Sequence, residues 1–326
     1  MTQVFLHIGM HKTGSTAIQK RLEANQDLLV SQGICFDDDS KNQLKKATRR
    51  RQFAPWKQKL RDAQSSSSAL LISNEVLSHL LADPMKTASE CPGDWLTRAF
   101  QEEGCTVSVI AFLRDQPSYL NSQYTQHVKK FALGCSFERY AWRMMNHSQA
   151  RGECDPQRLF GWIQNNPSIQ AHFVPFGGAS AGDPFQQLLE RIDVSSDLPW
   201  RPLPRVNEQP GRLAVATAVQ VQQQLADAGR PLSNRATRKQ AFRLLKRQGQ
   251  RRQWSKDRFN GLTPALYREI RSHYQASNNR FARQVWGATD WAALFPEQPP
   301  RAPQPLSPWE RWVVARASNR IIRHLN

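Results

Sequence analysis

The stretch QVFLHIGMHKTGST, residues 3–16, decides the fold that the sequence predicts. Residues 3–9 are mainly apolar and predict a short buried strand, and a tight glycine-bearing loop follows at 9–15. Residues 16–30 then have the spacing of an amphipathic helix. This order of strand, loop and helix is typical of a phosphate-binding α/β unit, because the backbone N–H groups of the loop and the helix N-terminus converge on one anion.

Apolar segments alternate with helical ones along the rest of the first part of the chain. Further buried strands are predicted at 69–72, 107–113 and 170–176. Helices are predicted at 95–103 and 118–131, and a helix with a flexible loop at 41–68. Strands that alternate with helices indicate a parallel sheet covered on both faces. The sequence therefore predicts an α/β fold, a three-layer parallel sheet with a P-loop-like nucleotide site.

Beyond about residue 205 the pattern becomes helical and predicts a C-terminal elaboration of this fold. Its helices are predicted at 212–228, 235–248 and 263–286. The proline-rich stretch 296–308 interrupts any helix and predicts an extended linker, which a basic amphipathic helix follows at 309–325. We therefore expect one α/β domain over residues 1–295, and a linker with a tail helix over 296–326.

Composition and charge restrict the class of protein. The mean hydropathy is −0.63, and no stretch reaches the roughly 18 consecutive apolar residues of a membrane-spanning helix, which excludes an integral membrane protein. The net charge is +18, and residues 201–326 hold 23 Lys or Arg against 7 Asp or Glu. Such a basic surface either attracts polyanions or is simply a solvated face. The tail helix either docks on its own domain or a partner, or makes peripheral contact with a membrane.

The cysteines and the amino terminus bear on the cellular compartment. The five cysteines are scattered, with no Cys-x-x-Cys pair, so we expect neither a disulfide framework nor a structural zinc site. The amino terminus lacks a basic start followed by an apolar secretory segment. We therefore expect a cytoplasmic protein, either free or peripheral at the inner face of the membrane.

The loop at residues 9–16 differs from that of ordinary nucleotide triphosphatases. Its two glycines, Gly9 and Gly14, keep the usual spacing, but Ser15 stands where those enzymes have Lys, and Lys12 lies two residues before Gly14. Lys-Thr-Gly-Ser-Thr between a strand and a helix resembles the 5′-phosphosulfate loop of sulfotransferases that use PAPS, 3′-phosphoadenosine 5′-phosphosulfate. Gln19 stands where many bacterial members of that family have Gln.

A second signature of this family follows a later strand. There, an Arg at the strand end and a Ser eight residues later bind the 3′-phosphate, and Arg114 and Ser122 have this spacing. Arginine suits the role because its planar guanidinium donates two hydrogen bonds to one phosphate. Many relatives have Pro two residues after the Arg, whereas here Gln116 precedes Pro117, as in a second bacterial pattern. This departure from the common pattern affects the expected local shape of the loop after Arg114 more than the expected contact with the phosphate.

The resemblance implies roles for these residues in sulfuryl transfer, which leaves adenosine 3′,5′-bisphosphate as product. Lys12, together with the backbone N–H groups of Gly14, Ser15 and Thr16, would stabilise negative charge on the oxygen that bridges sulfur and phosphorus. The hydroxyls of Ser15 and Thr16 would hold the 5′-phosphate. The implied nucleotide-binding residues are Gly9, Lys12, Thr13, Gly14, Ser15, Thr16, Arg114 and Ser122. It implies no metal, and histidines and carboxylates show no ligand spacing on a shared face.

The transfer also needs a base for the acceptor proton. Glu75 ends the second predicted strand, at the edge where open parallel sheets bind ligands, and is our first candidate. His79, one helical turn later, is the second candidate, and His11 in the loop is the third. The alternative for Glu75 is a structural role as cap of the following helix.

The acceptor and the competing functions are less defined by the sequence. Glu75, the basic C-terminal half and ten tryptophans favour a carbohydrate or glycolipid acceptor, although the tryptophans can equally belong to the core. The densest basic cluster is Lys239, Arg243, Lys246, Arg247, Arg251 and Arg252. We expect no specific nucleic acid, and the oligomeric state is open. The alternatives are a small-molecule kinase using ATP–Mg²⁺, with Asp115 on the metal, and a non-enzymatic polyanion binder.

Overall fold

The computed structural model describes residues 1–39, 41–66, 68–82, 90–146, 153–178, 182–203 and 210–325. Within these residues the strands are β1 (Thr2–His7), β2 (Ile34–Asp37), β3 (Ala69–Ser73), β4 (Cys105–Leu113) and β5 (Ile169–Pro175). The helices of the first half are α1 (Ser15–Ala24), α2 (Gln26–Ser31), α3 (Gln43–Arg49), α4 (Ala54–Ser65), α5 (Leu77–Ala82), α6 (Pro92–Glu102), α7 (Gln116–Lys129), α8 (Phe137–Asn146) and α9 (Pro156–Gln164).

The remaining helices are α10 (Pro184–Arg191), α11 (Arg212–Asp227), α12 (Arg235–Arg251), α13 (Pro264–Trp286) and α14 (Pro308–Arg323). Short 3₁₀ turns lie at Trp254–Lys256 and Trp291–Ala293. Over the described ranges no helix is long and apolar enough to cross a lipid bilayer.

The five strands form one all-parallel sheet in the order β2-β3-β1-β4-β5. Successive side chains of a strand point to opposite faces, so Val4 and Leu6 of β1 face one side and Phe5 the other. All three are buried, which requires that both faces be covered. The α/β class with a parallel sheet is thus confirmed, and the covered faces are consistent with three layers.

The strand order creates a crevice at the carboxyl edge of the sheet. The connection that leaves β1 goes toward β2, on one side, whereas the connection that leaves β4 goes to β5, on the other. Ligands of open α/β sheets bind between neighbouring strands whose connections diverge in this way. The residues that follow β1 and β4 therefore border the expected site.

Before residue 40, two elements differ from the sequence prediction. The helix expected at 16–30 is two helices, α1 and α2, because buried Asn25 interrupts it: the Asn25 amide oxygen accepts a hydrogen bond from the Arg201 backbone N–H at 2.8 Å. Strand β2 was not predicted, since its four residues are too few to show a periodic pattern. The predicted strands at 3–9, 69–72, 107–113 and 170–176 overlap β1, β3, β4 and β5.

The chain divides into two compact units. The first unit comprises residues 1–115, 148–206 and 274–297 and holds the whole sheet. The second comprises 116–147, 207–273 and 298–326, and the division falls within α13. The single domain expected over residues 1–295 stays a prediction.

In the second unit the tail helix packs on the helix α11. Its start is fixed by a capping box, in which the Ser307 hydroxyl and the Glu310 carboxylate each bind the other's backbone N–H. Arg212, at the start of α11, pairs with Glu310 and with Asp257. Val313 and neighbouring apolar residues of α14 are buried in this contact. The predicted helix at 309–325 is therefore present as α14, with its apolar side docked within its own unit.

Candidate active site

The loop between β1 and α1, residues 8–14, stays hydrogen-bonded to β4 beyond the end of β1. The backbone N–H of Ile8 donates to Ile110 O and that of Met10 to Phe112 O, both at 3.0 Å. Gly9 lies between them, and a Cβ on Gly9 would approach Phe112 N to 2.6 Å. This close approach requires glycine, and it fixes the loop against the end of β4.

The second half of the loop turns into the N-terminus of α1. Lys12 and Gly14 both have positive φ, 68° and 85°, and the Gly14 carbonyl accepts hydrogen bonds from Ala17 N and Ile18 N. The buried Thr13 hydroxyl donates to Met10 O at 2.6 Å and closes the loop on itself. Gly14, the N-cap residue, has no side chain to cap the helix. The geometry is suited to an anion bound by backbone N–H groups.

Arg114, the residue after β4, reaches back to this loop. Its Nη1 donates to the Lys12 carbonyl oxygen at 2.7 Å, and its Cζ lies 5.6 Å from the centroid of the Phe176 ring. The same ring lies against Gly14, where a Cβ would meet it at 3.3 Å. Burial lowers the pKa of the guanidinium to about 10, and adjacent Asp115 opposes this change. Arg114 is thus cationic at neutral pH and held beside the loop.

Glu75 follows β3 and faces the same loop from the other side of β1. Its Oε1 lies 3.1 Å from His11 Nδ1. Burial alone would raise the pKa of Glu75, but the hydrogen bond and charge of His11, with Ser15 and Lys12, outweigh burial and lower it. Glu75 is therefore an ionised carboxylate paired with an imidazole of the loop.

Two further titratable groups lie near His11. The His79 ring stacks on the His11 ring, with centroids 5.3 Å apart and planes 18° apart, and burial together with nearby His11 lowers the pKa of His79 to about 4. Burial raises the pKa of Glu153, and the nearby His11 opposes that rise. At neutral pH His79 is a neutral ring that supports His11, and it is a weaker base than an ordinary histidine.

The side chain of Gln19 ties α1 to the end of β3. Its Nε2 donates to the Ser73 carbonyl oxygen at 2.8 Å, and the Ser73 hydroxyl lies 2.7 Å from Nδ1 of buried His7. These contacts hold α1 and the turn that carries Glu75 in one fixed relation. Gln19 is thus a positioning residue, which the motif contains but whose contact only the structure reveals.

The predicted site residues fall into two groups. Those of the first unit surround the loop: Gly9, Lys12, Thr13, Gly14, Ser15, Thr16, Glu75, His79 and Arg114. Ser122 belongs to α7 in the second unit, where its carbonyl accepts a hydrogen bond from the Thr125 hydroxyl at 2.8 Å. A joint role for Arg114 and Ser122 stays a prediction.

Sequence reasoning did not foresee three features of the site. The His11–Glu75 pair, the Phe176 ring under Arg114 and the carboxylate of Glu153 come from segments far apart in the chain. Glu153 follows no motif, and the only sequence signal for His11 was its place in the loop. Among the residues that the structure describes, no group of three or more His, Cys, Asp or Glu could hold a metal ion.

No family model matches the chain, and neither a curated protein nor a solved structure matches it significantly.

Proposed function

We propose that the chain is a PAPS-dependent sulfotransferase that transfers a sulfuryl group to a hydroxyl or amine of a carbohydrate or glycolipid. One observation carries the proposal: the Arg114 guanidinium donates to the Lys12 carbonyl oxygen at 2.7 Å. Arg114, which follows β4, thus reaches the backbone of the loop that carries Lys12, beside the N-terminus of α1, so two cationic residues come from the ends of neighbouring strands. A nucleotide with phosphates at both its 3′ and 5′ positions needs two such cationic groups.

The residues of the loop suit the 5′-phosphosulfate. A phosphate in a P-loop-like site over Gly14 would accept hydrogen bonds from the backbone N–H groups that start α1 and from the hydroxyls of Ser15 and Thr16. Arg114 would bind the 3′-phosphate, with Ser122 as the proposed second donor.

The proposed reaction is a direct transfer. The acceptor oxygen or nitrogen forms a bond to sulfur while the bond from sulfur to the bridging phosphate oxygen breaks, and adenosine 3′,5′-bisphosphate leaves. The positive charge of Lys12 stabilises the negative charge that develops on that bridging oxygen. The proton of the acceptor passes to a base on the protein.

The Glu75–His11 pair supplies that base. The pair lies beside the loop, with Glu75 Oε1 3.1 Å from His11 Nδ1. Either the Glu75 carboxylate takes the proton directly, or it holds the His11 N–H at Nδ1 so that Nε2 takes it; the tautomer is inferred from this contact. In both cases Glu75 must be ionised, as its lowered pKa provides.

The kinase alternative is less well supported. It assigns Asp115 to a metal, but Asp115 Oδ1 accepts a hydrogen bond from the Trp291 indole N–H at 2.9 Å. The position that would hold the phosphate-binding Lys of such enzymes is the buried Ser15, which has no positive charge. The Asp115 contact and the absence of Lys at position 15 are the reasons to prefer sulfuryl transfer to phosphoryl transfer.

The test compares two nucleotides by titration calorimetry. The full chain should bind adenosine 3′,5′-bisphosphate and ignore ATP–Mg²⁺, and Arg114→Gln should weaken bisphosphate binding by about 100-fold, because it removes a buried cationic donor. Arg61→Gln, at an exposed arginine of α4, is the matched control and should bind normally. Tight, selective binding of ATP–Mg²⁺ would overturn the proposal in favour of a kinase.

Transfer itself is measured with ³⁵S-labelled PAPS and extracts of glycans and lipids. Label should enter one acceptor class, and Lys12→Ala should abolish incorporation. Incorporation at the normal rate in Lys12→Ala would show that Lys12 of the loop takes no part in the transfer. Bisphosphate binding without transfer to any glycan or lipid would contradict the proposed acceptor class but not the proposed nucleotide site.

A further inference from the structure

The exposed side of α14 carries two tryptophans and three arginines in one line. They are Trp309, Trp312, Arg316, Arg320 and Arg323, and all five are exposed. Intervals of three or four residues place side chains on the same side of a helix, so these five form a continuous stripe. The opposite side is buried in the contact with α11. The stripe therefore faces solvent along its whole length.

The tryptophans at the start of the stripe are unusually exposed for their size. Trp309 is 67% exposed and Trp312 47%, and their rings stack with centroids 4.7 Å apart. Arg316 continues the stack, with its Cζ 5.2 Å from the centroid of Trp312. Among the described residues the other exposed large apolar side chains, Met1, Val30 and Trp142, are scattered. Paired exposed rings of this kind mark an interaction surface.

Helix α12 adds a second line of positive charge. It has seven cations and no acidic residue, and six of the seven are exposed: Arg235, Lys239, Arg243, Lys246, Arg247 and Arg251. Gln240 Nε2 of α12 donates to the His324 carbonyl oxygen at 2.8 Å, and both residues are exposed. The last turn of α14, with Arg323, thus lies beside the middle of α12 at the surface.

Little in the described part of the chain neutralises this charge. None of the cations on the two stripes takes part in an ion pair between described residues. Glu310, the one acidic residue of α14, is committed to Arg212 and to the capping box. The surface formed by the α14 stripe and the exposed cations of α12, here named the tail surface, therefore presents a positive field to its surroundings.

We propose that the tail surface docks on an anionic lipid bilayer. The cations would lie over lipid phosphates and carboxylates, and Trp309 and Trp312 would enter the interface between headgroups and acyl chains. Tryptophan favours this interface because its ring is apolar and its N–H is polar. A soluble polyanion would use the cations but gives the paired rings no apolar layer to enter. This inference does not depend on the proposed sulfotransferase activity.

The experiment is co-sedimentation of the full chain with vesicles. Vesicles of phosphatidylcholine with about 30% phosphatidylserine should bind the protein, and pure phosphatidylcholine should bind it weakly. Binding should fall as salt rises, because the electrostatic part is screened. Failure to bind the anionic vesicles at low salt would overturn the proposal.

Two variants divide the surface into its parts. Trp309→Ala with Trp312→Ala should weaken vesicle binding about tenfold or more, since binding scales with apolar area inserted. Arg316→Gln with Arg320→Gln should weaken it about 25-fold, from roughly fivefold per cation near an anionic membrane. All four side chains are exposed, so the fold should survive, and unchanged thermal unfolding checks this.

The matched control lies on another helix of the same unit. Helix α8 also exposes a tryptophan, Trp142, between two exposed arginines, Arg139 and Arg143. Trp142→Ala and the pair Arg139→Gln with Arg143→Gln should leave vesicle binding unchanged. An equal loss in these controls would mean that the affinity is not specific to the tail surface.

Heparin and duplex DNA are the probes for a soluble polyanion. If they bind as tightly as anionic vesicles, and the double tryptophan variant binds vesicles normally, the surface is a polyanion site and the membrane proposal is wrong. If brominated lipids quench tryptophan fluorescence in the natural chain and the quenching is lost in the double tryptophan variant, the inserted rings are identified.

Discussion

The two units use electric charge in opposite ways. Of the ten ion pairs between described residues, eight lie in the first unit, and the two in the second unit share Arg212. Many charged side chains of the first unit therefore make internal contacts, including the one between His11 and Glu75. The second unit leaves the cations of α12 facing solvent. The same residue types thus define a fixed site in one unit and an open surface in the other.

Buried and exposed cations differ in how selectively they bind anions. In the first unit, Arg114 is buried enough that its pKa falls to about 10, and its hydrogen bond to the Lys12 carbonyl oxygen has a definite length of 2.7 Å. A charge held in this way can recognise one group of one ligand. A line of exposed cations, as on α12, attracts any extended anionic surface and discriminates little. Specific chemistry is therefore expected mainly from the first unit.

The largest effect that would test this contrast comes from the acid–base pair. Glu75→Gln should lower kcat by about 10²–10⁴-fold, because general base catalysis is worth that much, with bisphosphate affinity nearly intact. Glu102→Gln, at an exposed carboxylate of α6, is the control and should be silent. Retention of full turnover in Glu75→Gln would pass the role of base to His79, to be tested by His79→Ala.

The pH profile and a His11 variant show which member of the Glu75–His11 pair takes the proton. The pKa of Glu75 is lowered, so its carboxylate stays ionised until the pH falls below the ordinary range of glutamate. If Glu75 takes the proton directly, kcat/KM should stay level until the pH falls below the ordinary titration range of glutamate. If His11 Nε2 takes it instead, His11→Asn should remove activity as completely as Glu75→Gln.

Local pattern was enough to predict the framework of the first unit. The strands β1, β3 and β4 are each followed within five residues by a charged residue, and their parallel arrangement brings these strand ends to one edge. That is why Lys12, Glu75 and Arg114 could be named together from the sequence. These three residues could be placed from the predicted strand ends alone, because a strand end is determined by residues that are adjacent in the sequence.

What could not be predicted depends on contacts distant in sequence. The break at Asn25 exists because Arg201 binds its side chain, and the pairing of His11 with Glu75 needs the finished sheet. Helices α9 and α10 were not predicted, although each begins with Asp-Pro, at Asp155 and Asp183, and both aspartates cap their helices. That signal is local and could have found them.

A further prediction concerns how the loop is held in the first unit. Gly9→Ala should destabilise the protein by about 3 kcal/mol, because its Cβ would lie 2.6 Å from backbone nitrogen of Phe112, which cannot give way as a side chain can. Urea unfolding measures the loss, and bisphosphate binding should be lost with it. Gly33→Ala is the control: its φ is +69° but nothing lies within 4 Å, so it should cost only about 1 kcal/mol. Equal costs would mean that the strand contact does not fix the loop.

The smallest effect compares one arginine from each unit. Arg243→Glu in α12 should stabilise the protein by about 0.5 kcal/mol at low salt, because the new carboxylate would face Lys239 and Arg247 at i−4 and i+4. The gain should vanish near 1 M salt, where screening removes it. Arg21→Glu in α1 should destabilise instead, since Arg21 pairs with Asp183 at 2.5 Å and its Cζ lies 4.1 Å from the Phe185 ring centroid.

Urea unfolding at two salt concentrations gives both signs in one set of measurements. Opposite signs at low salt would show that the arginines of α12 are in excess of what the fold needs, while those of the first unit are part of it. A loss of stability in Arg243→Glu as large as that in Arg21→Glu would mean that α12 uses its cations internally. The contrast between the units would then fail, and with it the reason for assigning the exposed charge of α12 to an external anionic partner.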